Sequence, residues 1–522
     1  MQWLLESTSG NSPQPQYARE SFELTEAAEW LAIDIQCVRE HQFQFYLTDS
    51  QGAIRAQYYA MISKTRIVVG PTAALSSCGS VPGIIPQGLW SLHIVGFPAE
   101  NSLSFSLKVT AGIGDCPAGT LPITGDQMWI NTESDAQLHY NLYDWNREYK
   151  ASLKRNLSLP KMPSWFAGDF HMHTLLSDGK RTPIELTQAA VQRGLDFIVI
   201  TEHNAMTTGW PVTSLLVIPG VEITSSKGHF NAIGLSEWID FVGNKSVPIM
   251  ETEEGMNRVL DEVRQQGAIS SLNHPMLIPY EWQFKETPME KFDTIELWND
   301  PTYPDNVEAT EQAIRVWDEL WANGQLLWGI GGSDLHLLAG ESYVEGGKSA
   351  EVGDPTTFVW CDKLTANEII NAAKQGHSYM SRGPRLSPVL ESAGRHYLPG
   401  QQILNHLSNN QENDMKQLSE LTYRLQVTDA PVGSYLIWFI DGKETHIENI
   451  DINEMNYAYS LSWNLEDFHW IRLEVRDEQR ALLALVNPFY CGVPISQKRL
   501  WSEFVNWKTE AVEGVVDDRA NN

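Results

Sequence analysis

The residues able to do chemistry gather between Met162 and Gly376. They come as Asp169-Phe170-His171-Met172-His173-Thr174, Ser177-Asp178-Gly179, Thr201-Glu202-His203-Asn204, Gly220-Val221-Glu222, Gly228-His229-Phe230-Asn231, Asn273-His274-Pro275 and Gly332-Ser333-Asp334-Leu335-His336. His171 and His173 stand two apart at a strand end, so their side chains project to one side and can share an ion; Asp334 and His336 repeat the spacing. Glu222 closes the apolar run Val217-Ile218-Pro219-Gly220-Val221, where a carboxylate is costly unless paired, hydrogen-bonded or on a metal.

Each motif alone has an ordinary explanation. An isolated H-x-H is two hydrogen-bonded histidines, Glu222 could pair with Lys227, His203 could cap a loop, His274 before Pro275 could shape a turn, and Ser-Asp-Gly around Asp178 is a common turn sequence. Together they offer six imidazoles and three carboxylates, enough for two or three ions with positions open to water and substrate. Mixed nitrogen and oxygen donors without thiolates favour zinc, manganese or iron over calcium or a structural zinc. Carboxylate-bridged ions activate a shared water, which is hydrolase chemistry.

The surrounding elements must position these groups. In residues 1–155, period-two segments such as Leu31–Ile35, Phe43–Leu47 and Leu89–Ile94, broken by turn residues, predict an antiparallel β-sandwich without a catalytic set. Residues 156–384 alternate strand and helix. Thr182-Pro183 opens a helix to Arg193, and Phe197–Thr201 is an apolar strand of the kind buried in a parallel sheet. Further strands are predicted at 215–222, 268–272, 294–298, 326–330 and 356–360, and helices at 255–266, 307–322 and 366–375. About seven parallel strands suggest a β/α barrel with function at the carboxyl ends of its strands. Residues 385–498 predict a small immunoglobulin-like sandwich, with Asp441-Gly442 as a hairpin turn, and 499–522 a C-terminal tail.

At 522 residues the chain suits about three domains. A net charge of −29 argues against nucleic acid and anionic membranes as partners, and leaves a small-molecule ester substrate. Five scattered cysteines without a CxxC pair, no basic and apolar leader and no long apolar run predict a soluble cytoplasmic protein. A signal peptide removed earlier would leave no trace. Oligomeric state is open.

In their order and content these motifs resemble the polymerase and histidinol phosphatase (PHP) superfamily of metal-dependent phosphoesterases. The arrangement of sandwich, catalytic domain and second sandwich is most similar to the CehA/McbA-type, carbaryl-hydrolase-like metallohydrolases. The catalytic resemblance covers about Ser164 to Pro384. It implies a distorted seven-stranded barrel with up to three metals: one held by His171, His173, Glu222 and Asp334, a second by bridging Glu222 with His229 and His274, and a third by Asp178, His203 and His336. Some family members carry histidine near the position of Asp178. The expected reaction is attack of a metal-activated hydroxide on phosphorus or a carbonyl carbon.

Candidates to neutralise the developing oxyanion are Arg382 and Lys227, each of which would otherwise be a solvated surface charge; His377 is a candidate proton donor. A phosphoesterase is the leading reading. A carboxyl- or carbamate-ester hydrolase is the rival, for which Trp210, Trp282 and Trp298 offer aromatic walls. A non-catalytic sugar- or protein-binding module is the third reading, disfavoured by the complete ligand set.

Overall fold

The structure is a computed structural model that describes residues 2–9, 15–37, 43–59, 65–96, 103–121, 123, 163–211, 213–236, 238–243, 247–404, 418–451 and 455–505. It is a mixed α/β protein with one large sheet, few helices and several sandwich-like sheets.

The N-terminal part holds β1 (Gln2–Ser9), β2 (Gln16–Leu24), β3 (Trp30–Cys37), β4 (Phe43–Thr48), β5 (Ile54–Tyr59), β6 (Arg66–Val69), β7 (Gly88–Gly96) and β8 (Leu103–Gly112). These pair antiparallel as two four-stranded sheets, β1-β8-β3-β6 and β2-β7-β4-β5. Alternate residues of both sheets, including Leu31, Ile33, Phe43, Phe45 and Trp90, make a separate apolar core.

The central part contains β9 (Ser164–Asp169), α1 (Pro183–Arg193), β10 (Phe197–Ile200), β11 (Leu216–Ser225), β12 (Gly228–Ile233), α2 (Glu253–Gln265), β13 (Ile269–Leu272), β14 (Thr294–Asn299), α3 (Asn306–Ala322), β15 (Trp328–Gly332), β16 (Thr356–Cys361), α4 (Ala366–Lys374) and β17 (Ser378–Ser381). Threonine side chains cap the starts of α1, α2 and α4. Thr182 and Glu185 form a reciprocal capping box around Pro183 at the first helical position, and Gly194 ends α1 with φ +78°.

The expectation of about seven parallel strands is corrected. β9-β10-β11 and β13-β14-β15 are parallel runs, but β12 is antiparallel to both β11 and β13. Ser226 and Lys227 join β11 to β12 as a two-residue hairpin, which leaves no length for the crossover a parallel pair needs. β16 reaches the sheet from a long loop without a helix, and runs antiparallel to β9. The strand order from β15 to β17 is open among the described residues, so a closed barrel is not formed by the ladders. An isolated parallel bridge between Met172 and Leu335, and Thr357 Oγ1 bonded to Gly331 N (3.0 Å) and O (2.8 Å), link the first and last parts of the path.

The C-terminal strands are β18 (Arg385–Ser392), β19 (Arg395–Tyr397), β20 (Gln402–Ile403), β21 (Leu418–Thr428), β22 (Tyr435–Ile440), β23 (Lys443–Asn449), β24 (Asn456–Asn464), β25 (His469–Arg476) and β26 (Leu482–Cys491). One sheet, β19-β18-β21-β24, is separate. The other continues the central sheet through β17-β26-β25-β22-β23. Asp441 and Gly442 both have positive φ (50° and 74°), as a tight primed hairpin turn requires. Ion pairs from the buried Arg472 to Asp318 (2.7 Å) and from the buried Arg476 to Glu311 (2.7 Å) fasten β25 to α3. Beyond the expected end of this part, Trp501 is buried, and its indole donates to Trp282 O at 2.8 Å; α5 (Ser502–Val505) follows. Residues 506–522, the rest of the predicted tail, lie outside the described residues. No helix among the described residues is long and apolar enough to cross a membrane.

Candidate metal centre

The loops after the central strands are tied together by two buried acids. Asp169 accepts the backbone N–H groups of His171 (3.2 Å), Ser333 (3.0 Å) and Gly353 (2.7 Å), so one carboxylate joins the loop after β9 to both ends of the long loop between β15 and β16. Burial raises its pKa to about 6 against these hydrogen bonds. Glu202 accepts from Thr174 N (3.1 Å), Thr174 Oγ1, Ser177 N (3.0 Å) and Ser177 Oγ (2.5 Å), which shapes the turn leading to Asp178. Gly332 is needed by contact rather than by φ, because a Cβ there would stand 2.4 Å from His171 Cβ and 2.7 Å from His171 N.

These loops bring all nine sequence-predicted metal ligands into one cluster. His171 Nε2 lies 3.3 Å from both Glu222 Oε2 and Asp334 Oδ1, while His173 Nε2 lies 3.3 Å and 2.9 Å from the same two atoms. All four atoms are buried, and none makes a hydrogen bond. Two nitrogens and two oxygens thus point at one locus without hydrogen-bond partners, an arrangement a small cation satisfies once it displaces the imidazole proton. On the other oxygen of Glu222, His229 Nδ1 stands at 3.2 Å, His274 Nε2 at 3.4 Å, and Asn273 Nδ2 donates at 2.9 Å. Asp178 meets His203 Nε2 and His336 Nε2, each at 3.2 Å. Donor atoms of His173, Asp178, His203 and His336 fall within 4.8 Å of one another, as do those of His171, His173 and Glu222, and those of His203, Glu222 and His229. His274 and Asp334 adopt positive φ (25° and 45°), backbone strain kept at candidate ligand positions.

The charges are mutually dependent. Burial opposes ionisation of Glu222, Asp334 and Asp178, but the surrounding imidazoles outweigh it and hold all three carboxyls well below the usual range. Burial also opposes protonation of His171, His203 and His336, yet the acids win, lifting His171 and His203 well above the ordinary imidazole value and His336 to about 9. His229 goes the other way: burial lowers it to about 4, with Glu222 opposing only in part. The acid-rich cluster requires positive charge, which protons supply in the bare chain and divalent ions can replace.

Three other candidates do not join the cluster. Arg382 is held bidentately by Asp354 (2.6 and 2.8 Å), Lys227 Nζ donates to Glu251 O (2.9 Å), and His377 Nδ1 meets Pro399 O (2.7 Å). None lines the cavity of about 650 Å³ above the ligands. Lys227 sits in the hairpin turn, so nearness to His229 in sequence does not aim its side chain inward. The tryptophan walls are corrected as well: Trp210, Trp282 and Trp298 are core residues outside the lining. The aromatic lining is instead Tyr59, Tyr280, Tyr303 and Tyr343, joined by Leu277 and Pro279, with no lysine or arginine among the lining residues.

Sequence reasoning missed Glu296. Buried in β14, it accepts from His171 Nδ1 (3.0 Å), His274 N (3.1 Å) and Asn299 Nδ2 (3.1 Å), which leaves His171 Nε2 free to face Glu222 and Asp334. The signal that singled out Glu222, an acid inside an apolar strand, was equally present in Thr294-Ile295-Glu296-Leu297-Trp298. Tyr59 was also missed. It comes from β5 of the sandwich in which no functional residue was expected, and stacks on His203 with ring centroids 5.5 Å apart.

No protein-family model matches the chain, and no curated protein matches it. Among solved structures it is similar to a two-domain protein from Bacteroides vulgatus containing a predicted PHP-like metal-dependent phosphoesterase, at 18% identity over 66% of this chain and 96% of that one, TM-score 0.33. It is also similar to an amidohydrolase from Chromobacterium violaceum, at 14% identity over 35% of this chain and 91% of that one, TM-score 0.20. Neither likeness is high enough to assign a family.

Proposed function

We propose that the chain is a metal-dependent hydrolase of the PHP type that holds two to three divalent ions, zinc, manganese or iron, and cleaves a small-molecule phosphate ester. The observation that carries this reading is the convergence of His171 Nε2, His173 Nε2, Glu222 Oε2 and Asp334 Oδ1, buried and without hydrogen bonds. His171, His173, Glu222 and Asp334 would hold one ion; Glu222, His229 and His274 a second; Asp178, His203 and His336 a third. When bound, such ions supply Lewis acidity and make water acidic enough to act as a nucleophile at neutral pH.

The chain's own residues prepare the site. Glu296 and Asp169 fix the loop bearing His171, while Asn273 orients Glu222 and Asn299 donates to Asp334 Oδ2 at 3.2 Å. A second reading, a carboxyl- or carbamate-ester hydrolase, is favoured by one observation: the lining has aromatic and apolar groups and no cation to grip a phosphate dianion.

Chelator-free protein assayed with bis-p-nitrophenyl phosphate, p-nitrophenyl phosphate and p-nitrophenyl acetate, with and without manganese, tests both. Phosphate-ester turnover supports the first reading, and acetate turnover alone selects the second. No turnover of any ester after reconstitution removes the hydrolase reading.

A further inference from the structure

The N-terminal sandwich holds both loops that carry Asp178 and His203. Tyr46 Oη, from β4, donates to Asn204 O at 2.6 Å. Gln57, from β5, makes a paired contact with Met206: its Oε1 accepts Met206 N at 2.8 Å and its Nε2 donates to Met206 O at 2.9 Å. Gly79 N donates to Thr208 Oγ1 at 3.1 Å. These bonds run across the junction to the segment 204–208 that follows His203, whose first residue, Asn204, has φ +48°. A backbone in the left-handed region is retained where its surroundings hold it.

The second loop is held by packing. Leu176, two residues before Asp178, is buried in an apolar cluster made otherwise of sandwich and neighbouring residues, including Ile54, Ala73, Cys78 and Val81. A Cβ at Gly79 would stand 3.0 Å from Leu176 Cδ1, so the Leu176 side chain packs directly against the Gly79 backbone. Between the loops, Tyr59 lines the cavity and lies nearly parallel to the His203 ring, at 5.5 Å and 26°. By contrast, His171, Glu222, His274 and Asp334 are positioned from within the central part, by Glu296, Asp169, Asn273 and Asn299.

We infer that the N-terminal sandwich is a structural part of the metal centre, with Tyr46, Gln57 and Tyr59 as positioning residues that control the ion bound through Asp178 and His203. The inference rests on the multinuclear reading above. It assigns the sandwich a role in the chemistry of this chain rather than in recognition of a separate partner. Loosening its grip frees the two loops by fractions of an ångström, which matters for ligands that must meet one ion and hardly at all for a ligand set held elsewhere.

The test is a manganese titration followed by calorimetry and elemental analysis on the full chain. D178N first identifies the ion that depends on Asp178. Y46F removes one hydrogen bond while keeping the ring packed against Trp238 and Phe241, and so preserves the fold; Y59L removes the stack on His203. Both are expected to weaken the Asp178-dependent ion by about tenfold or more, the effect typical of outer partners of metal ligands, and to leave the remaining ions within about twofold. Variants that bind that ion as the wild type does, or that weaken every ion alike, would overturn the inference. A wild type that binds no manganese would fail at the earlier step, the metal-dependent reading itself.

Discussion

Replacing Glu296 with glutamine isolates a single feature of the centre, the orientation of His171. The carboxylate is buried and accepts three hydrogen bonds, one on Oε1 from His171 Nδ1 and two on Oε2 from His274 N and Asn299 Nδ2. A glutamine of the same shape has one acceptor and one donor group, so two arrangements are available. With its oxygen toward His171, the amide N–H₂ faces two donors, and two buried groups lose an acceptor at about 1–3 kcal/mol each. With the amide reversed, His171 Nδ1 must become an acceptor. The ring proton then moves to Nε2, which is the atom aimed at Glu222 Oε2 and Asp334 Oδ1 at 3.3 Å. Either arrangement is expected to reduce metal affinity by about 10- to 100-fold, or about 1.4–2.7 kcal/mol. Competition against a chromogenic chelator measures the affinity, and thermal melting of the metal-free protein measures the first cost separately. A folded E296Q protein with wild-type metal affinity would refute the reasoning that Glu296 sets the His171 tautomer.

Two further outcomes follow from the same geometry. His171 and His203 are raised well above the ordinary imidazole value and His336 to about 9, so in the metal-free chain at pH 7 these rings carry protons that a metal must displace. Metal uptake should therefore release at least one proton and tighten from pH 6 to pH 8, whereas calorimetry independent of buffer ionisation enthalpy would contradict the assigned charges. G332A, which drives a methyl against the His171 backbone, should lower stability by about 1–3 kcal/mol and reduce metal content; an unchanged melting temperature and full metal loading would show that the close approach is not needed.

Much of the cluster was legible because a metal site would impose residue type and spacing together. Nine candidate ligands in an ordered series of motifs left a joint pattern that no single turn or salt bridge produces. Several strand positions were legible for the same reason as the core, since Phe197–Ile200 or Leu216–Val221 has no other place than inside a sheet, but β12 (Gly228–Ile233) was not among the predicted strands. Strand direction was not legible. With β12 not predicted, nothing marked Ser226-Lys227 as a turn, and only its two-residue length between the paired strands reveals a hairpin. The cavity walls escaped because isolated tyrosines in loops have no period or spacing, and Tyr59 reaches His203 from more than a hundred residues away in sequence. Arg382 was misleading because a cation near the end of a barrel-like segment does not disclose that Asp354 claims it. Glu296 was the avoidable omission.

The most direct test of the account is elemental analysis of chelator-free protein, wild type beside D334A, with bis-p-nitrophenyl phosphate turnover measured on the same samples. The account predicts two or more transition-metal ions per wild-type chain, fewer in D334A, and turnover confined to the wild type. A D334A protein with the wild-type metal content and full turnover would contradict it.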